Sequence, residues 1–407
     1  MSWEKVKLGD VCKSITDGDH QSLPLSENGI PFIVIANISS NNRVEFEKTR
    51  YVPFEYYEKL DEKRKPQKGD VLLTVKGSFG IPVYIADDKP FVFQRDIAIL
   101  KCNEKINSKF LFFYMKNKEF YLYTDSIAIG AAQRAITLNA LRNTVIRLPL
   151  VKTQKRIADI LSAYDDLIEN NQKQIKLLEE AAQRLYKQWF IDLRFPGHET
   201  TKIVDGLPKG WRKVTLGSAL SKITTGLNPR KNFVLGQGKN FYVTIKNMGD
   251  NNIYLDDKCD RVNDEALEKI NKRSDLKTGD ILFSGIGTIG RVYLIDIPTN
   301  NWNVSESVFT MRVNECVSKE FLYLMLLSDD VQSYCDLHAH GVAQRGIRMA
   351  DLKEYKFVLP ENKIIDSFTT MVEPIIEKTQ ILRKSINYAA ESRDRLLPKL
   401  MNGELEV

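Results

Sequence analysis

The chain has 407 residues, 43% of them hydrophobic and 28% charged, with a formal net charge of +6. That length gives two or three domains, each able to bury its own core, and that composition excludes disordered, collagen-like and disulfide-scaffold classes. No apolar run is long enough to span a bilayer and Met1-Ser2-Trp3-Glu4-Lys5 starts no signal peptide, so no membrane contact and a cytoplasmic protein are expected.

In chain order, residues 1–150 read as a mixed α+β module. Pro31-Phe32-Ile33-Val34-Ile35 and Val71-Leu72-Leu73-Thr74-Val75 are strand-like runs between Gly, Asn and Asp turns, and a helix is predicted over 109–121. Residues 151–195 change grammar. Ile157, Leu161, Tyr164, Ile168, Asn171, Ile175, Leu178, Ala182, Leu185 and Trp189 advance in alternating steps of four and three, an unbroken heptad seam. Asn171 is either a buried residue that fixes register or a solvent-facing one. The Pro- and Gly-rich stretch 192–210 links to a second α+β module over 196–360. This module has a strand-like run at Ile281-Leu282-Phe283-Ser284 and a helix predicted over 319–331. In 361–407 a second seam runs through Phe368, Val372, Ile375, Thr379, Leu382, Ile386, Ala389, Arg393, Leu396 and Leu400. Two such helices are expected to pair as an antiparallel coiled coil, a rod of roughly 50 Å at ~1.5 Å per residue. Pro374 and Pro398 should start or kink the second helix and end it.

The two modules are copies. Trp3-Glu4-Lys5-Val6-Lys7-Leu8-Gly9 returns as Trp211-Arg212-Lys213-Val214-Thr215-Leu216-Gly217. Gly69-Asp70-Val71-Leu72 returns as Gly279-Asp280-Ile281-Leu282, and Gly130-Ala131-Ala132-Gln133-Arg134 as Gly341-Val342-Ala343-Gln344-Arg345. A period this long is a duplicated domain. Two similar modules on one chain suit a reader of a two-part target. The positive charge lies in them: 22 Lys+Arg against 18 Asp+Glu in 1–150, and 22 against 19 in 201–360. An excess there favours a polyanion.

Catalytic motifs are missing. Gly285-Ile286-Gly287-Thr288-Ile289-Gly290 fits GxGxxG, but another strand-like run follows it where a phosphate cradle needs a helix, so a glycine hairpin is the better reading. Cys335, His338 and His340 have zinc-ligand chemistry but no fourth ligand nearby. No GxxxxGK[ST] loop or GxSxG elbow occurs. The chain is therefore not expected to be an enzyme, and no cofactor or metal is assigned to it. The five scattered cysteines form no CxxC and read as reduced thiols.

Several stretches carry a resemblance: Gln154-Lys155-Arg156-Ile157-Ala158-Asp159-Ile160-Leu161 through Asn170-Asn171 to Leu185-Tyr186-Lys187-Gln188-Trp189-Phe190, the tail Arg395-Leu396-Leu397-Pro398-Lys399-Leu400-Met401-Asn402-Gly403-Glu404-Leu405, the re-entry Leu207-Pro208-Lys209-Gly210-Trp211 and the Gly-Asp-Val/Ile-Leu strand. With these the whole chain resembles the specificity (S) subunit of type I restriction–modification systems. The resemblance implies two target-recognition domains that each read half of a bipartite site in double-stranded DNA, and a coiled-coil spacer that sets the gap. It further implies docking of two methyltransferase subunits, which hold S-adenosylmethionine and methylate adenine, and of motor–nuclease subunits for restriction.

Residues identical in both copies cannot distinguish two different half-sites, so Gln133/Gln344 and Arg134/Arg345 are assigned to phosphate, fold or partner. Base readers are expected where the copies differ and side chains offer paired hydrogen bonds. These are His20, Gln21, Asn37, Asn41, Asn42, Arg43 and Lys76 in the first module, and Asn228, Arg230, Lys231, Asn240, Lys246, Asn247 and Asn252 in the second. Ser78 and Thr288, at matching glycine-loop positions, are candidate phosphate contacts. The competing readings are a stand-alone DNA-binding protein, against which no helix-turn-helix is evident, and an interaction scaffold that never touches DNA.

Overall fold

The computed structural model describes the chain except residues 1–2, 21–22, 40, 131–133, 250 and 343. It divides into two compact units, Met1–Asn170 with Ser385–Val407, and Asn171–Lys384. Among the described residues no helix is long and apolar enough to cross a membrane.

In the first unit a four-stranded antiparallel sheet has the order Cys12–Asp17, Ile97–Cys102, Val71–Thr74, Pro82–Tyr84. The period of two along a strand explains why its centre is wholly apolar. Val71 and Leu73 face one core, with Leu100 and Phe110; Leu72 faces another, with Ile33 and Phe93. A three-stranded sheet places Ile30–Ile33 between Arg50–Val52, antiparallel, and Val92–Phe93, parallel. Glu4–Lys7 pairs with Val145–Leu148, joining the start of the module to its end.

The second unit repeats this plan. Leu220–Thr225, Val308–Val313, Ile281–Ser284 and Val292–Leu294 form the four-stranded sheet, Asp260–Val262, Asn240–Val243 and Trp302–Val304 the three-stranded one, and Arg212–Thr215 pairs with Lys356–Leu359. Ile281 and Phe283 face one core and Leu282 the other.

The repeated Gly-Asp pair has a physical explanation. Gly69 and Gly279 turn the chain at φ of 95° and 91°, which favours glycine. The following carboxylate is buried. Asp70 accepts the Gln67 N–H at 2.8 Å and Lys101 Nζ at 2.6 Å. Asp280 accepts the Lys277 N–H at 2.9 Å and both Nε and Nη2 of Arg312 at 2.7 and 2.8 Å.

The helix predicted over 109–121 is two helices, Ser108–Lys116 and Lys118–Ile127, parted at Asn117. Its counterpart is Lys319–Leu326 and Asp329–Leu337, parted near Ser328. Asn and Ser favour helix caps over helix interiors, and here that local preference wins.

The heptad seams form the two long helices, Val151–Tyr186 and Asn362–Met401. In the first unit Ile157 and Leu161 share a core with Leu397, Leu400 and Met401, and Asp165 meets Arg393 at 2.5 Å. In the second, Trp189 and Phe190 stack around Phe368, and Glu179 pairs with Arg383. Within each unit the pairing is antiparallel, as expected. Asn171 is buried rather than solvent-facing.

Pro374 lies well inside Asn362–Met401 rather than at its start, and Pro398 is in the last turn. The ring removes the N–H that would reach the Thr370 carbonyl. Pro374 is exposed, so water can take that carbonyl, while Val372 and Ile376 on the opposite side pack into the core. Tertiary packing overrides the local penalty.

Candidate nucleic-acid interface

Each unit gathers loops at the ends of its four-stranded sheet. The glycine turn is a hairpin: Gly80 N–H donates to Thr74 C=O at 2.7 Å and Gly290 N–H to Ser284 C=O at 3.0 Å. It joins antiparallel strands, Val71–Thr74 to Pro82–Tyr84 and Ile281–Ser284 to Val292–Leu294. No helix follows, so the GxGxxG stretch is not a phosphate cradle. Ser78 and Thr288 are exposed on its turn, and Lys76 is half-buried at its edge.

The arginine loop lies against it. Gly77 N–H donates to Arg134 C=O at 3.2 Å, and Gly287 N–H to Arg345 C=O at 2.7 Å. The loop neck is closed by paired bonds between Ile129 and Ala135, and between His340 and Gly346. Arg134 Nε reaches Asp125 Oδ1 at 3.0 Å and its Nη2 bonds the Asp125 carbonyl, while Arg345 Nη2 donates to the Asp336 carbonyl at 2.8 Å. Both guanidiniums tie back the preceding helix at equivalent places. Gln133 lies outside the described residues.

A short turn completes the site. In the second unit a Cβ on Gly287 would stand 2.6 Å from Ile245 Cδ1, and Arg291 Nη1 donates to the Ile245 carbonyl at 3.0 Å. Lys246 is exposed on that turn, beside the glycine hairpin. Asn37 and Asn247, expected as base readers, hold the turn itself: Asn37 Oδ1 accepts the Val34 N–H and Asn247 Oδ1 the Thr244 N–H, each at 3.0 Å.

The other candidates divide between loop surface and fold. His20 is exposed with Nε2 2.9 Å from Asp17, and Gln21 lies outside the described residues. Asn41 is exposed, and Asn42, at φ 60°, donates to the Pro82 carbonyl at 2.9 Å. Arg43 bonds Glu169 of the long helix, and that contact raises its pKa despite partial burial. Asn228 donates to Glu306 at 2.6 Å and accepts the Arg230 N–H at 3.0 Å, while Arg230 and Lys231 are exposed. Asn240 is buried, with its amide on Asp264 at 2.8 Å, and Asn252 caps the Ile253 N–H at 2.8 Å. Asn240 and Asn247 are thus corrected from base readers to internal fasteners, because a buried amide must satisfy its own hydrogen bonds.

The zinc-like trio has other work. Cys335 is buried, His338 stacks on Tyr334 at 3.9 Å, and His340 Nε2 is 2.9 Å from Asp351. Among the described residues no group of three His, Cys, Asp or Glu could hold a metal ion.

A profile described as the type I restriction modification DNA specificity domain matches residues 1–180 and again 208–387, one match on each repeat. The chain belongs to the type I restriction–modification specificity-subunit family. It is 27% identical to the type I restriction enzyme MjaIX specificity subunit of Methanocaldococcus jannaschii, across 100% of this chain and 94% of that protein. To the HindI specificity subunit of Haemophilus influenzae it is 24% identical, across 99% of each. The S subunit of the M. genitalium type I system has the same fold, with a TM-score of 0.63 at 17% identity over 98% of this chain and 96% of that one. Specificity subunits are the non-catalytic, DNA-binding components of restriction–modification complexes.

In this specificity subunit the frame repeats but the lysine moves. Lys76 of the first glycine hairpin corresponds to Ile286 of the second, and Lys246 of the second turn to Ala36 of the first. The arginines do not move. Arg345→Ala should therefore lower stability by about 1 kcal/mol, the net worth of its hydrogen bond. It should leave the salt dependence of DNA binding unchanged. A drop of about 0.9 in the slope of log K against log salt would instead place Arg345 on a phosphate.

Proposed function

We propose that each unit reads one half of a bipartite site in double-stranded DNA, through the loops around its glycine hairpin. The observation that carries this reading is the moved lysine. Two copies keep the buried Gly-Asp carboxylate and the arginine tie, yet place a lysine on different loops. A shared frame with exchanged loop chemistry suits two different half-sites, since base edges are told apart by side-chain donors and acceptors. The paired long helices set the gap between half-sites and, with adjoining surfaces, dock two methyltransferase subunits. Those partners hold S-adenosylmethionine and methylate adenine, and motor–nuclease subunits join them for restriction, in the cytoplasm. This chain contributes selection and spacing, not chemistry.

The test is co-expression with a cognate methyltransferase subunit, followed by sequencing of host DNA for modified adenines. One bipartite motif with a fixed gap is expected, lost on removal of residues 201–360. Lys76→Ala should relax or weaken only the half-site read by residues 1–150; equal loss in both halves, or none, removes Lys76 from base reading. A stable complex without new methylation would leave a scaffold, and no complex at all would favour a stand-alone DNA-binding protein.

A further inference from the structure

Cys12 opens one strand of the first unit's sheet, Cys102 ends its neighbour, and the two are direct partners in the antiparallel register. The Asn103 N–H donates to the Val11 carbonyl at 3.0 Å, one rung outside them. The 12/102 rung is therefore one without cross-strand bonds of its own, where Cα atoms approach to about 4.5 Å. A disulfide accepts Cα separations of about 4.4–6.8 Å, a range that includes the spacing of such a rung. Contact with Cys102, followed by burial, raises the pKa of Cys12. Both are partly exposed, whereas Cys259 and Cys335 are buried, and Cys316 shares no strand pairing with another cysteine.

The second unit shows that the fold does not ask for two thiols here. Its equivalent rung is Leu220 opposite Val313, followed by the same register shift. The same asparagine brackets it: Asn314 N–H donates to the Ala219 carbonyl at 3.0 Å and its Nδ2 to the Ser218 carbonyl at 2.8 Å, as Asn103 Nδ2 does to Asp10 at 3.1 Å. Apolar side chains fill the position equally well.

We propose that Cys12 and Cys102 form an oxidisable dithiol, which hydrogen peroxide converts to a cross-strand disulfide within the first recognition unit. The thiolate attacks peroxide, and either cysteine can begin, for example Cys102. Its sulfur attacks one peroxide oxygen, the O–O bond breaks, and a sulfenic acid and one water form. The Cys12 sulfur then attacks the sulfenic sulfur, the S–O bond breaks, and the departing hydroxide takes the Cys12 proton as a second water. Two thiols are oxidised by one peroxide, and a thiol reductant reverses the change.

The decisive experiment treats the full-length chain with hydrogen peroxide, alkylates remaining thiols after denaturation, and maps peptides by mass spectrometry. The expected product joins the Cys12 and Cys102 peptides, lighter by two hydrogen atoms than the separate thiols, and dithiothreitol restores both. Cys12→Ser and Cys102→Ser should each abolish the link. Three outcomes overturn the proposal: both thiols still alkylatable when Cys316 has been oxidised, sulfinic acid at either position without a link, or a link from either residue to any other cysteine. The wild-type chain decides the matter even if a variant fails to fold.

Discussion

Phe368→Ala should be among the most damaging single substitutions in this chain, lowering stability by about 3–5 kcal/mol, the cost of truncating a fully buried phenylalanine. Phe368 has no exposed surface. Its ring centroid lies 4.7 Å from Phe190, 5.6 Å from Trp189, 6.4 Å from Tyr186 and 6.5 Å from Phe321. Truncation would open a cavity walled by rings from the end of the first long helix and from Phe321 of the module, which cannot all move inward together. Urea titration followed by tryptophan fluorescence reads the change, since Trp189 and Trp211 sit in the same core. Phe54→Ala is the matched control: Phe54 is 62% exposed and its loss should stay within about 0.5 kcal/mol. A midpoint unmoved by Phe368→Ala would show that the seam does not hold the second unit together.

Asp280→Ala should cost about 3 kcal/mol, at the low end for breaking a buried ion pair. Asp280 is 1% exposed and grips Arg312 through both oxygens, while its Oδ2 also caps the Lys277 N–H. Alanine would strip the Lys277 N–H of its acceptor and leave the guanidinium to Asp275, whose carbonyl accepts Nη2 at 2.9 Å. The cost stays low because that bond remains and a quarter of the Arg312 side chain reaches water. Asp280→Asn keeps an acceptor for one donor and should lose less. Calorimetric melting of both variants orders them; equal melting of Asp280→Ala and wild type would deny the carboxylate its fastening role.

The long helices and the glycine hairpin were legible because each rests on local periodicity or turn chemistry. A seam of alternating threes and fours buries one stripe whatever surrounds it, and a glycine turn between two apolar runs can hardly be anything but a hairpin. The expected base readers fared differently. An amide that suits adenine also suits a turn: Asn37, Asn247 and Asn252 all cap backbone N–H groups, and Asn240 is buried against Asp264. Residue type cannot distinguish these uses; exposure can. The partners of the Gly-Asp carboxylates escaped the sequence reading, although a signal was there, since Asp70/Asp280 and Lys101/Arg312 keep opposite charges at nearly the same offset. Pro374 can lie inside the second long helix because a helix packed along one side tolerates a missing bond on its wet side.

In both units a strand near the start of the module lies against its last strand, Glu4 opposite Leu148 and Arg212 opposite Leu359. Neighbouring strands are about 4.8 Å apart, so the polypeptide enters and leaves each module at one doorway. A segment whose ends adjoin can be replaced through two crossovers in the gene, and the incoming cassette need only match that doorway. Inheritance can then act on whole modules, trading one finished recognition surface for another while the helices that carry it stay as they are.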